Sequence, residues 1–320
     1  VKGIVMAKPH LLLFGLFDPY VAETLAPHFT VHEVSRAPDA EALINEVGPE
    51  VEAATGYATT LRVNAAMMDR LPKLKIISTV SVGYDAIDVV EARKRGIAVT
   101  NTPDVLTDEV ADLTVALLLA TVRELPAADL YLRQGKWPEG QFRLSPATMR
   151  GRKIGILGLG RIGKAVAARL EPFGVSIAYN GRNQQADVAY RYYADLVQMA
   201  RDVDTLVSLA PGGAQTKAIC NAEVFRALGP DGIFVNVGRG STVDEPALIE
   251  ALQNRTILAA GLDVFAAEPR VPQALIDLPN TVLLPHIGSG SVATRRDMAM
   301  LAISNLIAWR EGRPLPTPVT

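Results

Sequence analysis

The sequence predicts an α/β protein of two doubly wound parallel-sheet domains, on three observations. Short apolar runs alternate with helical patterns over the first hundred residues and again from Lys153, which means βα units and sheets covered on both faces. The length of 320 residues suits two domains at roughly 100–200 residues each. The second series opens on a G-x-G-x-x-G loop, the turn that starts a doubly wound nucleotide-binding sheet.

In the first series, residues 11–16, 29–34, 51–56, 75–80 and 97–100 read as strands, with helices between them at 40–47 and 86–95 among others. Asn101-Thr102-Pro103-Asp104 breaks the pattern as a loop. Thr107 is placed to cap a long helix reaching about Glu124, with Asp108 and Glu109 in the first turn, where the helix dipole favours negative charge. That helix is apolar on most faces and is expected to be buried between domains or subunits. A second helix, 127–134, and a loop holding Trp137 follow. The second series has strands at 153–158, 175–179, 204–210, 232–237, 258–264 and 281–284, and helices at 162–173 and 292–310.

Composition excludes several classes of function. Hydrophobic residues make up 49% and charged residues 21%, which is ordinary for a folded protein and too apolar for disorder. A net charge of −2 with scattered Lys and Arg gives no reason to expect nucleic acid. The single cysteine, Cys220, forms no internal disulfide and no Cys/His zinc site; it reads as a small buried hydrophobe in a reducing compartment. No metal is expected. No uncharged apolar stretch reaches the ~18 residues of a membrane span, so no membrane contact is expected. The first ten residues lack a signal-peptide pattern, Met6 is a candidate natural start, and the expected compartment is the cytoplasm.

Gly158-Leu159-Gly160-Arg161-Ile162-Gly163 follows the apolar run Ile154-Gly155-Ile156-Leu157 and opens a helix. In that context it reads as a dinucleotide site: Gly158 for the turn, Gly160 for approach of the pyrophosphate, Gly163 for helix–strand packing, and Arg161 as a direct charge. Enzymes that bind NAD usually place an acid at the end of the next strand. Here that strand ends in Asn180-Gly181-Arg182-Asn183. Arg182 stands at the expected place, and a guanidinium suits a 2′-phosphate where an acid would repel it. NADP(H) is therefore the expected cofactor and NAD(H) the lesser alternative. Arg182 as a plain solvated turn residue is the bland reading, and Asp187 lies further along the loop.

Taken in order, Ser81-Val82-Gly83-Tyr84-Asp85, Asn101-Thr102-Pro103, residues Thr107 to Asp112, the glycine loop, Asn236-Val237-Gly238-Arg239-Gly240, residues Gly261 to Phe265 with Glu268-Pro269, and Pro285-His286-Ile287-Gly288 make a specific set. It resembles the D-isomer-specific 2-hydroxyacid dehydrogenases, and Arg182 in place of the acid looks like the glyoxylate/hydroxypyruvate reductases within them. The resemblance implies Rossmann-like and flavodoxin-like domains with an active-site cleft between them: a substrate domain from residues 1–100 and 287–320, and a nucleotide domain from 101–286.

The resemblance also implies the chemistry. Arg239 holds the carboxylate and carbonyl of a small 2-keto acid; His286 is the general acid; Glu268 pairs with His286, and a negative neighbour keeps an imidazole protonated and oriented. Formate dehydrogenases of the superfamily carry an amide at the Glu268 place. Val82 and Gly83 offer backbone N–H groups to the substrate carboxylate. Thr107, the Leu157–Gly163 loop, and Asn180, Arg182 and Asn183 are implied cofactor contacts. Ala210, Pro211 and Thr216 line the cofactor too, although Pro211-Gly212-Gly213-Ala214-Gln215-Thr216 departs from the usual form. Val237, Gly238, His286 and Gly288 complete that set, with Asp263 accepting from the nicotinamide carboxamide. Trp137 either reaches a neighbouring subunit's active site or packs in the interface of a homodimer. The expected activity is NADPH-dependent reduction of glyoxylate or hydroxypyruvate to the 2-hydroxy acid. The alternatives are an NAD-linked D-2-hydroxyacid dehydrogenase and a non-catalytic dinucleotide sensor like the family's corepressor relatives.

Overall fold

The computed structural model describes residues 7–319, so the reading of Met6 as a start lies outside the described residues. The chain divides into two compact units: the described part of Val1–Leu106 with Val292–Thr320, and Thr107–Ser291.

The first unit carries β1 (His10–Phe14), β2 (Thr30–Glu33), β3 (Val51–Gly56), β4 (Ile76–Thr79) and β5 (Ala98–Thr100) in one parallel sheet of order β2-β1-β3-β4-β5. Its helices are α1 (Pro19–Leu25), α2 (Ala40–Val47), α3 (Ala65–Arg70) and α4 (Val89–Lys94). All four start on a side-chain cap that accepts a backbone N–H: Asp18, Asp39, Asn64 and Asp88. The central strands β1, β3 and β4 are almost wholly buried, as expected of strands covered on both faces.

The second unit begins with α5 (Thr107–Val122) and α6 (Leu125–Arg133). Its sheet contains β6 (Lys153–Leu157), β7 (Ser176–Asn180), β8 (Arg191–Tyr193), β9 (Thr205–Ser208), β10 (Ile233–Asn236), β11 (Ala259–Leu262) and β12 (Thr281–Leu283). The order is β12-β11-β10-β9-β6-β7-β8, all parallel, with the switch of direction between β6 and β9. Helices α7 (Arg161–Leu170), α8 (Leu196–Asp202), α9 (Ala222–Leu228), α10 (Glu245–Gln253) and α11 (Gln273–Ile276) cover it. The last helix, α12 (Val292–Arg310), returns to the first unit, where it packs on β4 and stacks Trp309 against Phe29.

The unit boundaries fall a few residues beyond 100/101 and 286/287, for local reasons. Asn101 and Thr102 are tied into the first unit by Thr102 N–H to the Ser81 carbonyl at 2.9 Å and by the Thr317 hydroxyl to the Asn101 carbonyl at 2.6 Å. Residues 286–288 are held to Asp263 in the second.

Helix α5 explains its own composition. One face lies on β10, β11 and β12 and another on α7, so apolar residues are required nearly all round. The packing on β11 is close: a Cβ at Gly261 would lie 2.4 Å from the Thr121 hydroxyl. Buried Thr114 and Thr121 satisfy their hydroxyls on carbonyls one turn back. On its outer face Asp108 and Asp112 both pair with Arg169 of α7. Part of the helix is buried within the unit itself, while Leu113, Val115, Leu119 and Ala120 stay half-buried and Ala116 exposed.

Arg152, only 7% exposed, staples the amino ends of the second sheet. Its guanidinium donates to Thr205 Oγ1 at 2.6 Å and to the carbonyls of Asp204 and Asp231, and pairs with the Asp204 carboxylate at 2.9 Å. Replacing Arg152 by Ala strands these acceptors, and denaturant unfolding is expected to show a loss of about 3 kcal/mol. A loss below about 0.5 kcal/mol, the range of a surface substitution, would contradict the staple.

Candidate functional site

A parallel sheet delivers every strand's carboxyl end to one edge, and ligands of open α/β sheets bind there at the switch of strand order. In the second unit the glycine loop follows β6, which flanks the switch. Gly158 has φ +95°, a conformation open to glycine at no cost, and a Cβ there would press on Leu209 and Ala210 at about 3.0 Å. A Cβ at Gly163 would lie 2.4 Å from the Gly158 carbonyl oxygen, so α7 packs on the turn only through glycine. A Cβ at Gly160 would meet nothing within 4 Å, which leaves the loop open towards solvent for a bulky anion. Leu157 is buried, Ile162 half-buried and Arg161 exposed at the first position of α7, where unpaired N–H groups favour phosphate. The residues present fit a dinucleotide pyrophosphate.

At the end of β7, Arg182 and Asn183 are exposed. Asn180 is 7% exposed, and its side-chain amide donates to the Tyr193 carbonyl at 2.8 Å, so it braces β7 against β8. Asp187 is occupied by Lys164 of α7 at 2.6 Å, which holds its carboxyl below the usual range. Gln185 closes the same loop onto the glycine turn by donating to the Leu159 carbonyl. The acid nearest the strand end is thereby engaged, and Arg182 is the charged side chain at the expected place.

After β9, Ala210 is buried and Pro211 exposed; the Thr216 hydroxyl turns back to donate to the Pro211 carbonyl at 2.6 Å. After β10, Val237 is buried and Gly238 half-buried. The Arg239 backbone is latched from two sides: Asn236 Nδ2 and the Thr242 hydroxyl both donate to its carbonyl, at 3.1 and 2.7 Å. Its guanidinium is half-buried and donates to the Gly238 carbonyl.

After β11 and β12 comes the titratable centre. His286 Nδ1 lies 2.7 Å from Glu268 Oε2, and Glu268 Oε1 accepts from the Phe265 N–H at 3.0 Å. An ionised carboxylate only accepts, so Nδ1 carries the proton and Nε2 is the nitrogen left to face a reactant. Burial disfavours ionisation of Glu268; hydrogen bonds from His286 and Phe265, with the charges of His286 and Arg239, outweigh it and hold the carboxyl below the usual glutamate range. The pairing therefore stabilises the fold above the ordinary glutamate pKa, and that contribution is lost as pH falls through the lower folded value.

His286 sits at φ +55°, a left-handed conformation that costs a non-glycine residue about 1–2 kcal/mol. Asp263 holds it there. The Asp263 carbonyl accepts from His286 N–H at 2.9 Å, and its carboxylate takes Ile287 N–H at 2.7 Å and Gly288 N–H at 2.8 Å. Burial pushes the Asp263 carboxyl up, against those two hydrogen bonds and the charge of His286. Asp263, expected as a cofactor contact, is thus also the brace of the histidine, a role its motif did not suggest. Thr107 is half-buried at the start of α5.

In the first unit, Val82 and Gly83 lie in the loop after β4, both half-buried. Asn101 Nδ2 donates to the Val82 carbonyl at 2.8 Å, an anchor that the loop reading of Asn101 missed. Trp137, in the second unit, is 64% exposed. Among the described residues, no three His, Cys, Asp or Glu side chains are grouped to hold a metal, and no helix is long and apolar enough to cross a membrane. Cys220 is fully buried, and burial pushes its thiol up to about 12.

Comparison with known proteins bears on the family and the fold. Residues 115–288 match the family described as D-isomer specific 2-hydroxyacid dehydrogenase, NAD binding domain. Hydroxyphenylpyruvate reductase of Plectranthus scutellarioides is 48% identical over 256 residues, 80% of this chain and 82% of that protein. Glyoxylate/hydroxypyruvate reductase A of Arabidopsis thaliana is 44% identical over 317 residues, 99% and 98% of the two chains. The crystal structure of the NADPH-dependent glyoxylate/hydroxypyruvate reductase of Sinorhizobium meliloti, solved with NADP and malonate, is similar with a TM-score of 0.90 at 47% identity, covering 98% of this chain and 97% of that one. The matched residues take in the glycine loop, Arg239, Glu268 and His286, and the chain belongs to the D-isomer specific 2-hydroxyacid dehydrogenase family.

Proposed function

We propose that this chain is an NADPH-dependent reductase of small 2-keto acids, glyoxylate and hydroxypyruvate foremost, yielding the 2-hydroxy acid. The observation that carries the reading is the Glu268–His286 pair, with Arg239 close enough for its charge to act on Glu268, on the sheet edge that also bears the glycine loop. The relatives named above support the substrate class and the cofactor.

The second unit holds the cofactor: the Gly158–Gly163 turn and the start of α7 take the pyrophosphate, with Thr107, Ala210, Pro211, Thr216, Val237, Gly238 and Gly288 around it, and Arg182 with Asn183 takes the 2′-phosphate. When bound, the nicotinamide supplies the hydride to the carbonyl carbon. The chain's own residues do the rest. Arg239 of the second unit binds the substrate carboxylate and polarises the carbonyl. Taken by itself, the first unit is the substrate unit in this reading, and the half-buried loop after β4 offers its Val82 and Gly83 N–H groups to a carboxylate. His286 gives the proton on Nε2 to the carbonyl oxygen as the alkoxide forms, and Glu268 stabilises the imidazolium until that moment.

The same reading takes the protein as a cytoplasmic homodimer. Residues 125–144 support the dimer: Leu125, Leu130, Leu132, Trp137 and Leu144 are all more than half exposed. Sedimentation is expected to give twice the chain mass for the parent and a lighter species for Leu130→Glu; a monomeric parent would contradict it.

Initial rates with glyoxylate, hydroxypyruvate and hydroxyphenylpyruvate against NADPH and NADH test the assignment. Turnover of the small acids with NADPH is expected. Consumption of neither cofactor would favour a dinucleotide sensor, and preference for NADH an NAD-linked dehydrogenase. Arg182→Ala is expected to raise the KM for NADPH about tenfold or more and that for NADH little, since a lost charged hydrogen bond costs roughly 1.5–3 kcal/mol; equal effects would remove Arg182 from the phosphate site.

Glu268→Gln removes the negative partner of the imidazolium. Reduction needs protonated His286, so its rate falls as pH rises; in the variant that fall should come at lower pH. An unmoved profile would contradict the acid–base role of the pair.

A further inference from the structure

Two turns carry the proposed chemistry, one bearing Arg239 and the other Glu268, and they are joined by a contact the mechanism does not use. Gly240 follows Arg239, and its α-carbon lies against the second turn so closely that a Cβ there would be 1.9 Å from the Phe265 carbonyl carbon and 2.5 Å from the Ala266 nitrogen. Five residues later, Glu245 is the first residue of α10, after the cap Asp244, whose side chain accepts from Ala247 N–H. An acid at this place ordinarily faces solvent and serves the helix dipole. Glu245 is instead 9% exposed, and its Oε1 accepts from the Ala266 N–H at 2.7 Å.

The Glu268 turn is therefore gripped at two successive amides. Phe265 N–H goes to Glu268 itself, and Ala266 N–H goes to Glu245. Ala267 and Arg270 close the turn behind them. We propose that Glu245 is a positioning residue for the reduction: its buried carboxylate fixes the 265–268 turn to the Arg239 segment, and so fixes Glu268 against His286 Nδ1. It touches no reactant and acts only through Glu268. A buried amide that loses its acceptor seeks another, and a turn that moves by an ångström takes the Glu268 carboxylate off the imidazole.

This inference rests on the acid–base reading of the Glu268–His286 pair, and the test separates the two. The charged groups that face the pair are Arg239 on the Glu268 side and Asp263 on the His286 side. Both residues are kept in every Glu245 variant. The measurement is the pH profile of kcat and kcat/KM for NADPH-dependent reduction of hydroxypyruvate by the parent, Glu268→Gln, Glu245→Ala and Glu245→Gln. Glu245→Ala is expected to lower kcat about tenfold or more at neutral pH. Its activity should fall at lower pH than the parent's, in the same direction as for Glu268→Gln, with the KM for NADPH unchanged. Glu245→Gln keeps an oxygen for Ala266 N–H and should restore the parent profile. If Glu245→Ala does not fold, Glu245→Asp, one methylene short of the amide, is measured instead and should show the same displacement. A shifted profile for Glu268→Gln beside a parent-like profile for folded Glu245→Ala, with only thermal stability reduced, overturns this proposal alone. An unmoved profile for Glu268→Gln overturns the acid–base reading and this proposal with it.

Discussion

One hydrogen bond governs the proposed chemistry: Nδ1 of His286 to a carboxylate oxygen of Glu268, at 2.7 Å in a half-buried setting. A histidine alone has two interchangeable nitrogens and no fixed charge. With a carboxylate on Nδ1, the tautomer and ring plane are settled, and Nε2 alone is left to exchange a proton. Glu268 ionises readily despite burial because that imidazole, the Phe265 amide and the Arg239 charge all favour its anion.

Such a bond is only as good as the backbone behind it, and the sheet supplies that backbone. Strands β10, β11 and β12 are neighbours in parallel register, so Arg239, Glu268 and His286 leave adjacent strands at one edge. Irregular chain beyond that edge is then pinned by buried polar groups. Asn236 and Thr242 hold the carbonyl of Arg239, Asp263 holds three amides of the 286–288 turn, and Glu245 and Glu268 hold those of the 265–268 turn. The strained φ of His286 persists because Asp263 over-determines it.

Periodicity made both sheets legible, because buried parallel strands are continuous apolar runs; strand 51–56 and helices 40–47 and 292–310 are found at the expected bounds. Strand β8 escaped, since Arg191-Tyr192-Tyr193 at the sheet margin is short and only one of its residues is buried. The glycine loop was readable from its context, and the missing acid after β7 from position alone. What pattern did not disclose is where side chains spend their hydrogen bonds. Asn180, an implied cofactor contact, spends its amide on the Tyr193 carbonyl, and Asp187 is taken by Lys164. Glu245, an acid in the first turn of a helix, is a buried tether. These contacts join residues distant in sequence, and no local spacing announces them.

The most direct test of the central bond is the tautomer of His286, read by ¹⁵N NMR of the imidazole across the pH range in which the protein reduces hydroxypyruvate. The account predicts a proton on Nδ1 throughout, with Nε2 alone gaining and losing its proton. A neutral ring that carries its proton on Nε2, with Nδ1 bare beside Glu268, would contradict it.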